Sequence, residues 1–278
     1  MNIIRIVDIK QEEVSVYSQL TEAQLRNRLE PEKGIFIVES LKVIQAAFEC
    51  GLRPLSFLTE ERYIEKEIAN LFGQYNLDGD TPVYTAQREV LAGLTGYELT
   101  RGFLCAMRRP TLLGVDEICA GKRRIAVVDG VVNSTNTGAI FRATAALGIE
   151  ALLFTPTCCD PLNRRSVRVS MGCIFRIPWT FISFGHDPHH FDEIQKELNA
   201  LGFKTVALAL DEKALPIDAP ELQRVERMAI VMGTEGDGLP KETVAMCDYI
   251  AMIPMQRGVD SLNVAAAAAV AFWQLRVR

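Results

Sequence analysis

Short apolar runs with strand character alternate along this chain with stretches whose apolar positions recur every three to four residues. In the first half, Ile35-Phe36-Ile37-Val38 reads as a strand, and residues 39–50 place Leu41, Ile44, Ala47 and Phe48 on one helical face that Gly51 ends. Further strands are predicted over 54–59, 82–85 and 102–107, with helices over 61–72 and 86–94. The first thirty residues read as a helical lead-in. Together these elements predict a three-layer α/β unit over residues 1–107. Arg108-Arg109-Pro110-Thr111 breaks the pattern and opens a linker predicted over 108–121.

A second unit is predicted over residues 122–278. Its strands fall at 124–128, 151–154, 205–208, 228–232 and 249–253, and its helices at 138–147, 163–171, 191–201 and 262–276. Gly148 and Gly202 stop two of these helices. Strands alternating with helices predict a mainly parallel sheet covered on both faces. In such sheets ligands sit in loops beyond the carboxyl ends of the strands. The last helix holds an alanine run suited to close packing, in the core or against a second subunit.

Composition narrows the class. A chain of 278 residues, 49% hydrophobic and 23% charged, can bury a sizeable core without disulfides or a structural metal. No apolar run reaches the roughly 18–20 residues of a membrane span. The first residues lack a basic region followed by an apolar stretch, so no leader is expected and a cytoplasmic protein is. Seven cysteines without a Cys-x-x-Cys pair are expected as reduced core residues. Cys158-Cys159 with nearby His186, His189 and His190 is expected as a polar region without metal.

A net charge of −5 argues against the broad electrostatic footprint of a non-specific nucleic-acid binder. Any such surface is therefore local. The dense cationic stretch is Arg164, Arg165, Arg168 and Arg176, in surroundings poor in acid. A set of solvated helix arginines is the plain alternative.

Three loops that follow strands carry candidate chemistry. Asn133-Ser134-Thr135-Asn136-Thr137-Gly138 enters a helix with Arg142 one turn inside, near a helix terminus that disfavours cations. An anion above it would explain the arginine, while Asn136 and Thr137 also suit ordinary caps. Gly233-Thr234-Glu235-Gly236-Asp237-Gly238 permits close ligand approach but lacks the lysine of a P-loop. Its carboxylates suit a neutral or cationic small molecule, such as a nucleoside or a sulfonium. In the third loop, residues 253–264, Asp260 and Ser261 are expected to cap the last helix and Asn263 to fall in its first turn.

Asn136-x-Gly138-x-x-x-Arg142, Gly233-x-Glu235-Gly236-x-Gly238, and Ile253-Pro254-Met255 followed by Ser261-Leu262-Asn263-Val264 resemble the three-motif signature of the SpoU (TrmH-type) RNA ribose methyltransferases. Ser170-Met171-Gly172 and Ile177-Pro178 are similar to that family as well, so the resemblance spans about 122–278. Residues 20–107, with Phe36-Ile37-Val38-Glu39, resemble its smaller N-terminal substrate-binding domain of ribosomal-protein-like fold. Ser134, Ser40, Asp260 and Ala265 depart from proline, glycine, glutamate and serine commonly found there. The resemblance implies a C-terminal α/β domain threading a deep trefoil knot, an exception to the rule against knots. It also implies a homodimer through that domain, S-adenosylmethionine as methyl donor, no metal, and a 2′-hydroxyl of ribosomal or transfer RNA as acceptor.

Carried over by residue, the resemblance implies a donor held at Met232, Gly233, Ile253, Met255 and Leu262. Asn136, Arg142, Glu235, Ser261 and Asn263 would line the reacting centre, and Arg164, Arg165 and Arg168 would meet RNA backbone. In the family the arginine is proposed to activate the hydroxyl, yet a guanidinium has a pKa above about 12 and no acceptor lone pair. Arg142 is therefore read as holding a substrate phosphate. Glu235 is read as the proton acceptor, or as the group that holds Arg142 or Asn136. Two rivals stay open: a non-catalytic RNA-binding assembly protein of the same fold, and a methyltransferase for a small substrate.

Overall fold

Two sheets carry the chain, each within its own compact unit. The structure is a computed structural model that describes residues 1–27, 29–92, 102–182, 191–234, 236, 238–259 and 261–277. One unit comprises Met1–Thr111 with Leu162–Phe175, the other Leu112–Pro161 with Arg176–Arg278.

The first unit contains β1 (Asn2–Arg5), β2 (Ile35–Glu39), β3 (Pro54–Glu60), β4 (Pro82–Ala86) and β5 (Phe103–Arg108), in the order β1-β4-β3-β5-β2. β1 and β3 pair parallel with β4, whereas β5 pairs antiparallel with β3 and β2. The predicted helical lead-in begins instead with a strand. Asn2–Arg5 extends the sheet edge, because β4 offers it a partner that local sequence cannot reveal. Short helices at Ser15–Ser18 and Glu22–Arg26 follow. The helix predicted over 61–72 is a 3-10 turn, a π turn and the α-helix Ala69–Tyr75. Beside a register shift in β3, the Ala106 N–H donates to the Tyr17 hydroxyl at 3.2 Å, and that hydroxyl shares a 2.7 Å bond with Ser56. Burial holds the Tyr17 phenol well above its ordinary pKa, so it serves as a neutral buried partner.

The helix Arg164–Ser170 is expected from chain order to cover the second sheet. It lies instead against β2, inside the first unit. Shape decides this: the Phe175 ring sits 5.9 Å from that of Phe36, and Gly172, at φ +85°, leaves no space for a Cβ, which would meet the Ala46 Cβ at 2.6 Å.

The second unit contains β6 (Arg124–Val128), β7 (Ala151–Phe154), β8 (Trp179–Phe181), β9 (Lys204–Leu208), β10 (Leu215–Pro216), β11 (Met228–Met232) and β12 (Tyr249–Met252). Their order is β10-β12-β9-β11-β6-β7-β8, and the pairs are parallel throughout. The α/β fold with a parallel sheet agrees with expectation; the short β8 and β10 were not foreseen. One face packs Ile125, Val127, Leu153 and Val231 against Phe191, Ile194 and Leu198 of the helix Phe191–Ala200. On the other face Phe141 stacks on Phe154 at 5.5 Å, with Trp179 edge-on. Such pairs add about 0.5–1.5 kcal/mol each to plain burial. The stretch predicted as a linker includes the helix Val115–Cys119, whose Ile118 and Cys119 join this core.

Arg124 ties the unit together from below. Its guanidinium donates to the carbonyls of Leu275 at 2.7 Å, Glu226 at 2.6 Å and Val225 at 2.8 Å, so a buried cation closes the end of the helix Val264–Leu275. A cation there also suits the helix macrodipole. Among the described residues no helix is long and apolar enough to cross a membrane.

Candidate active site

Parallel pairing brings the carboxyl ends of β9, β11 and β12 to one edge of the second sheet. The loops beyond those ends enclose a cleft of about 680 Å³, within the range of about 300–1,000 Å³ common to small-molecule sites. Met232, Gly233, Ile253, Met255, Ser261 and Leu262 all line it. These six are brought together from three separate stretches of sequence.

Gly233 is the tightest point of the cradle. A Cβ there would lie 2.3 Å from the carbonyl oxygen of Gly238 and 2.6 Å from the nitrogen of Leu239, so only glycine fits. The turn closes because the Thr234 N–H donates to Gly238 O at 3.1 Å, and the Thr234 hydroxyl reaches the same oxygen at 3.3 Å. Glu235, Asp237 and Asp260 lie outside the described residues, as do His186, His189 and His190.

The first loop proves to be helix. Asn133 is the N-cap of Ser134–Leu147, its Oδ1 accepting from the Thr135 N–H at 2.9 Å, and Gly148 ends the helix at φ 77°. Arg142 is thus the ninth residue of the helix, beyond the first turn where the macrodipole acts, and the expected conflict with it is absent. Its side chain is exposed and makes no hydrogen bond or ion pair with the described residues. Asn263, expected inside the last helix, is its N-cap and accepts from the Ala265 and Ala266 N–H groups at 3.0 and 3.3 Å. Its Nδ2 donates to Oδ1 of buried Asn136 at 3.1 Å, joining the starts of two helices that pack along each other. Asn136 and Asn263 therefore meet, whereas Arg142, six residues and about 9 Å further along its helix, does not join them.

The arginine helix has an internal partner. Buried Glu39 receives Arg164 Nε at 3.4 Å and Arg168 Nη1 at 3.6 Å, which offsets part of the positive charge of the expected local patch. Arg165 remains exposed. Burial raises the thiols of Cys158 to about 11 and Cys247 to about 12, far from the range of reactive thiolates. Among the described residues no group of three or more potential ligands could hold a metal.

The sequence reading passed over the loop after β9. Leu210, Asp211 and Lys213 line the cleft, and so does Lys241 beyond the glycine turn. The available signal was the rule that every parallel strand delivers a loop to the same edge.

A bare-backbone cradle and an apolar slot beyond a parallel sheet define an α/β protein with a cleft placed and sized as small-molecule sites are. Residues 123–273, more than half of the chain, match the model of the SpoU rRNA Methylase family, and the protein belongs to that family. It is 34% identical to an uncharacterized tRNA/rRNA methyltransferase of Mycobacterium bovis, over 93% of this chain and 86% of that one. It is 28% identical to the 23S rRNA (guanosine-2′-O-)-methyltransferase RlmB of Acinetobacter baylyi, over 87% and 94%. In fold it matches the AdoMet-bound rRNA methyltransferase of Sinorhizobium meliloti, with a TM-score of 0.79 and 19% identity over 98% and 97% of the chains.

Proposed function

We propose that the protein transfers the methyl group of S-adenosylmethionine to a ribose 2′-hydroxyl of RNA, ribosomal RNA ahead of transfer RNA. The observation that carries this reading is the cleft at Gly233, where bare backbone and apolar side chains from the predicted donor loops converge. Membership of an rRNA methylase family and the 23S rRNA guanosine-2′-O-methyltransferase activity for which the Acinetobacter relative is named support it. When bound, the donor supplies an electrophilic methyl group on a sulfonium. The backbone at Gly233, Ile253 and Leu262, with Met232 and Met255 beside it, holds the adenosine end.

This chain's own contribution is orientation, which is worth up to roughly 7–11 kcal/mol in ideal cases. The Asn136–Asn263 bond fixes two helix starts beside each other. Ser261, at the cleft, offers a hydroxyl to the reacting centre. Arg142, exposed and uncommitted among the described residues, holds a substrate phosphate through its planar fork. Arg165 adds a backbone contact, and Arg164 and Arg168 contribute the donors that Glu39 leaves over. Glu235 accepts the hydroxyl proton. We further propose the family's trefoil knot, a cytoplasmic location, and a homodimer through the last helix, where Val270 and Trp273 stand 41% and 58% exposed.

Single-turnover methylation with saturating RNA and donor tests the assignment. Glu235→Gln should lower turnover by about 10²–10⁴-fold with both binding constants near wild type. Arg142→Lys should weaken RNA binding as well as rate while leaving donor affinity intact. Normal turnover in Glu235→Gln, with Arg142→Lys binding RNA normally yet failing in chemistry, reverses the roles. The same preparations should sediment as dimers at micromolar concentration; an active monomer refutes that part.

A further inference from the structure

The charge inside the cleft is sparse and specific. Among the described lining residues the ionisable groups are Asp211, Lys213 and Lys241. Asp211 Oδ1 accepts from the Lys213 N–H at 2.8 Å, and the Ala214 N–H donates to Asp211 O at 3.0 Å, a closed turn that carries Lys213. Lys241, the first residue of the helix Lys241–Met246, also lines the cleft, just past the turn that begins at Gly233. Both side chains are exposed, and neither ammonium bonds to a described residue. Two cations thus border an otherwise apolar or bare-backbone slot without a structural task of their own.

We propose that Lys213 and Lys241 bind the carboxylate of the donor's amino-acid end, with Asp211 facing the ammonium of the same end. This rests on the cleft being the donor site. An adenosine moiety is served by apolar walls and backbone, but a carboxylate moved out of water needs a cation to offset its desolvation. A zwitterion matches two lysines and one aspartate; a plain nucleoside uses none of them. The lysines therefore select S-adenosylmethionine over nucleosides that share its adenosine end.

Calorimetry with two probes tests this: S-adenosylmethionine, and 5′-methylthioadenosine, which lacks the amino-acid end. Lys213→Met and Lys241→Met keep chain length and apolar stem, and sit at exposed positions that should not disturb folding. The double variant should bind S-adenosylmethionine about 10- to 100-fold more weakly and 5′-methylthioadenosine within about twofold of wild type. Added salt should weaken S-adenosylmethionine binding in wild type more than in the double variant. Equal losses for both probes, or none for either, overturn the proposal while leaving the donor site in place. Retained donor binding with weakened RNA binding also overturns it, assigning the lysines to RNA backbone. Wild-type protein that binds neither probe overturns the donor-site reading itself, and this inference with it.

Discussion

In the second unit the strand pairs are parallel, whereas in the first β5 runs antiparallel to both of its neighbours. Parallel strands deliver their carboxyl ends, and hence their loops, to one edge, so six residues from three stretches meet at one cleft. In the first unit β5 alone is reversed and delivers its carboxyl end to the edge opposite that of β1–β4. Its unusual polar groups instead hold the unit together, Glu39 with Arg164 and Arg168 and Tyr17 with Ser56. Ser40 is the exception, buried at φ 81° with a hydroxyl that has no partner among the described residues. Polar residues inside a fold are therefore signs of function or of architecture according to where the topology puts them.

Five substitutions sharpen or break that comparison. The largest stability effect belongs to Arg124→Met. The carbonyls of Leu275, Val225 and Glu226 lose a charged donor, which should cost about 3–5 kcal/mol and lower hydrogen-exchange protection in the helix Val264–Leu275. Protection unchanged there would mean that packing alone anchors the helix.

Next come two glycines that the comparison separates. Gly233→Ala forces apart the backbone of the cradle and should weaken donor binding by at least about 100-fold, roughly 2.7 kcal/mol. Gly172→Ala meets Ala46 at positive φ and should cost about 2–3 kcal/mol of stability with donor affinity unchanged by calorimetry. If Gly172→Ala abolished donor binding, the division between site and scaffold would fail.

Asp248→Asn is smaller. Burial works to raise the Asp248 pKa, but its bonds to Lys204 at 2.7 Å and to the Thr205 N–H and hydroxyl at 2.9 Å outweigh it and hold the carboxyl below its ordinary value. A depressed folded pKa stabilises the protein above the unfolded value of about 3.9, and that contribution vanishes as pH falls through the folded value. The variant should lose about 1 kcal/mol at pH 7 through the Thr205 bonds. Urea midpoints should show the gap closing below about pH 4; a gap that persists in acid would place the cause elsewhere.

The smallest effect runs the other way. Ser40→Gly relieves the left-handed backbone and removes the unpartnered hydroxyl, and should stabilise by about 1 kcal/mol after the greater freedom of glycine in the unfolded chain is subtracted. A melting temperature that falls would show the Ser40 hydroxyl to have a role that its burial conceals.

By itself the sequence determined the order and type of most elements and the two-unit character of the chain. Each follows from local periodicity, caps and stops: Gly148 ends a helix because a left-handed residue is needed there, whatever lies around it. The loops that line the cleft were legible for a related reason, since Gly233 and Ile253 directly follow strands. Tertiary structure alone decided what depends on a distant partner. Asn2–Arg5 is a strand because β4 lies beside it, and the arginine helix belongs with β2 because Gly172 and Phe175 fit Ala46 and Phe36. Asn136 meets Asn263 across 127 positions, and Lys213 and Lys241 come to one cleft. Local propensity acts over a few residues, whereas packing and register compare surfaces that exist only once the sheets have formed.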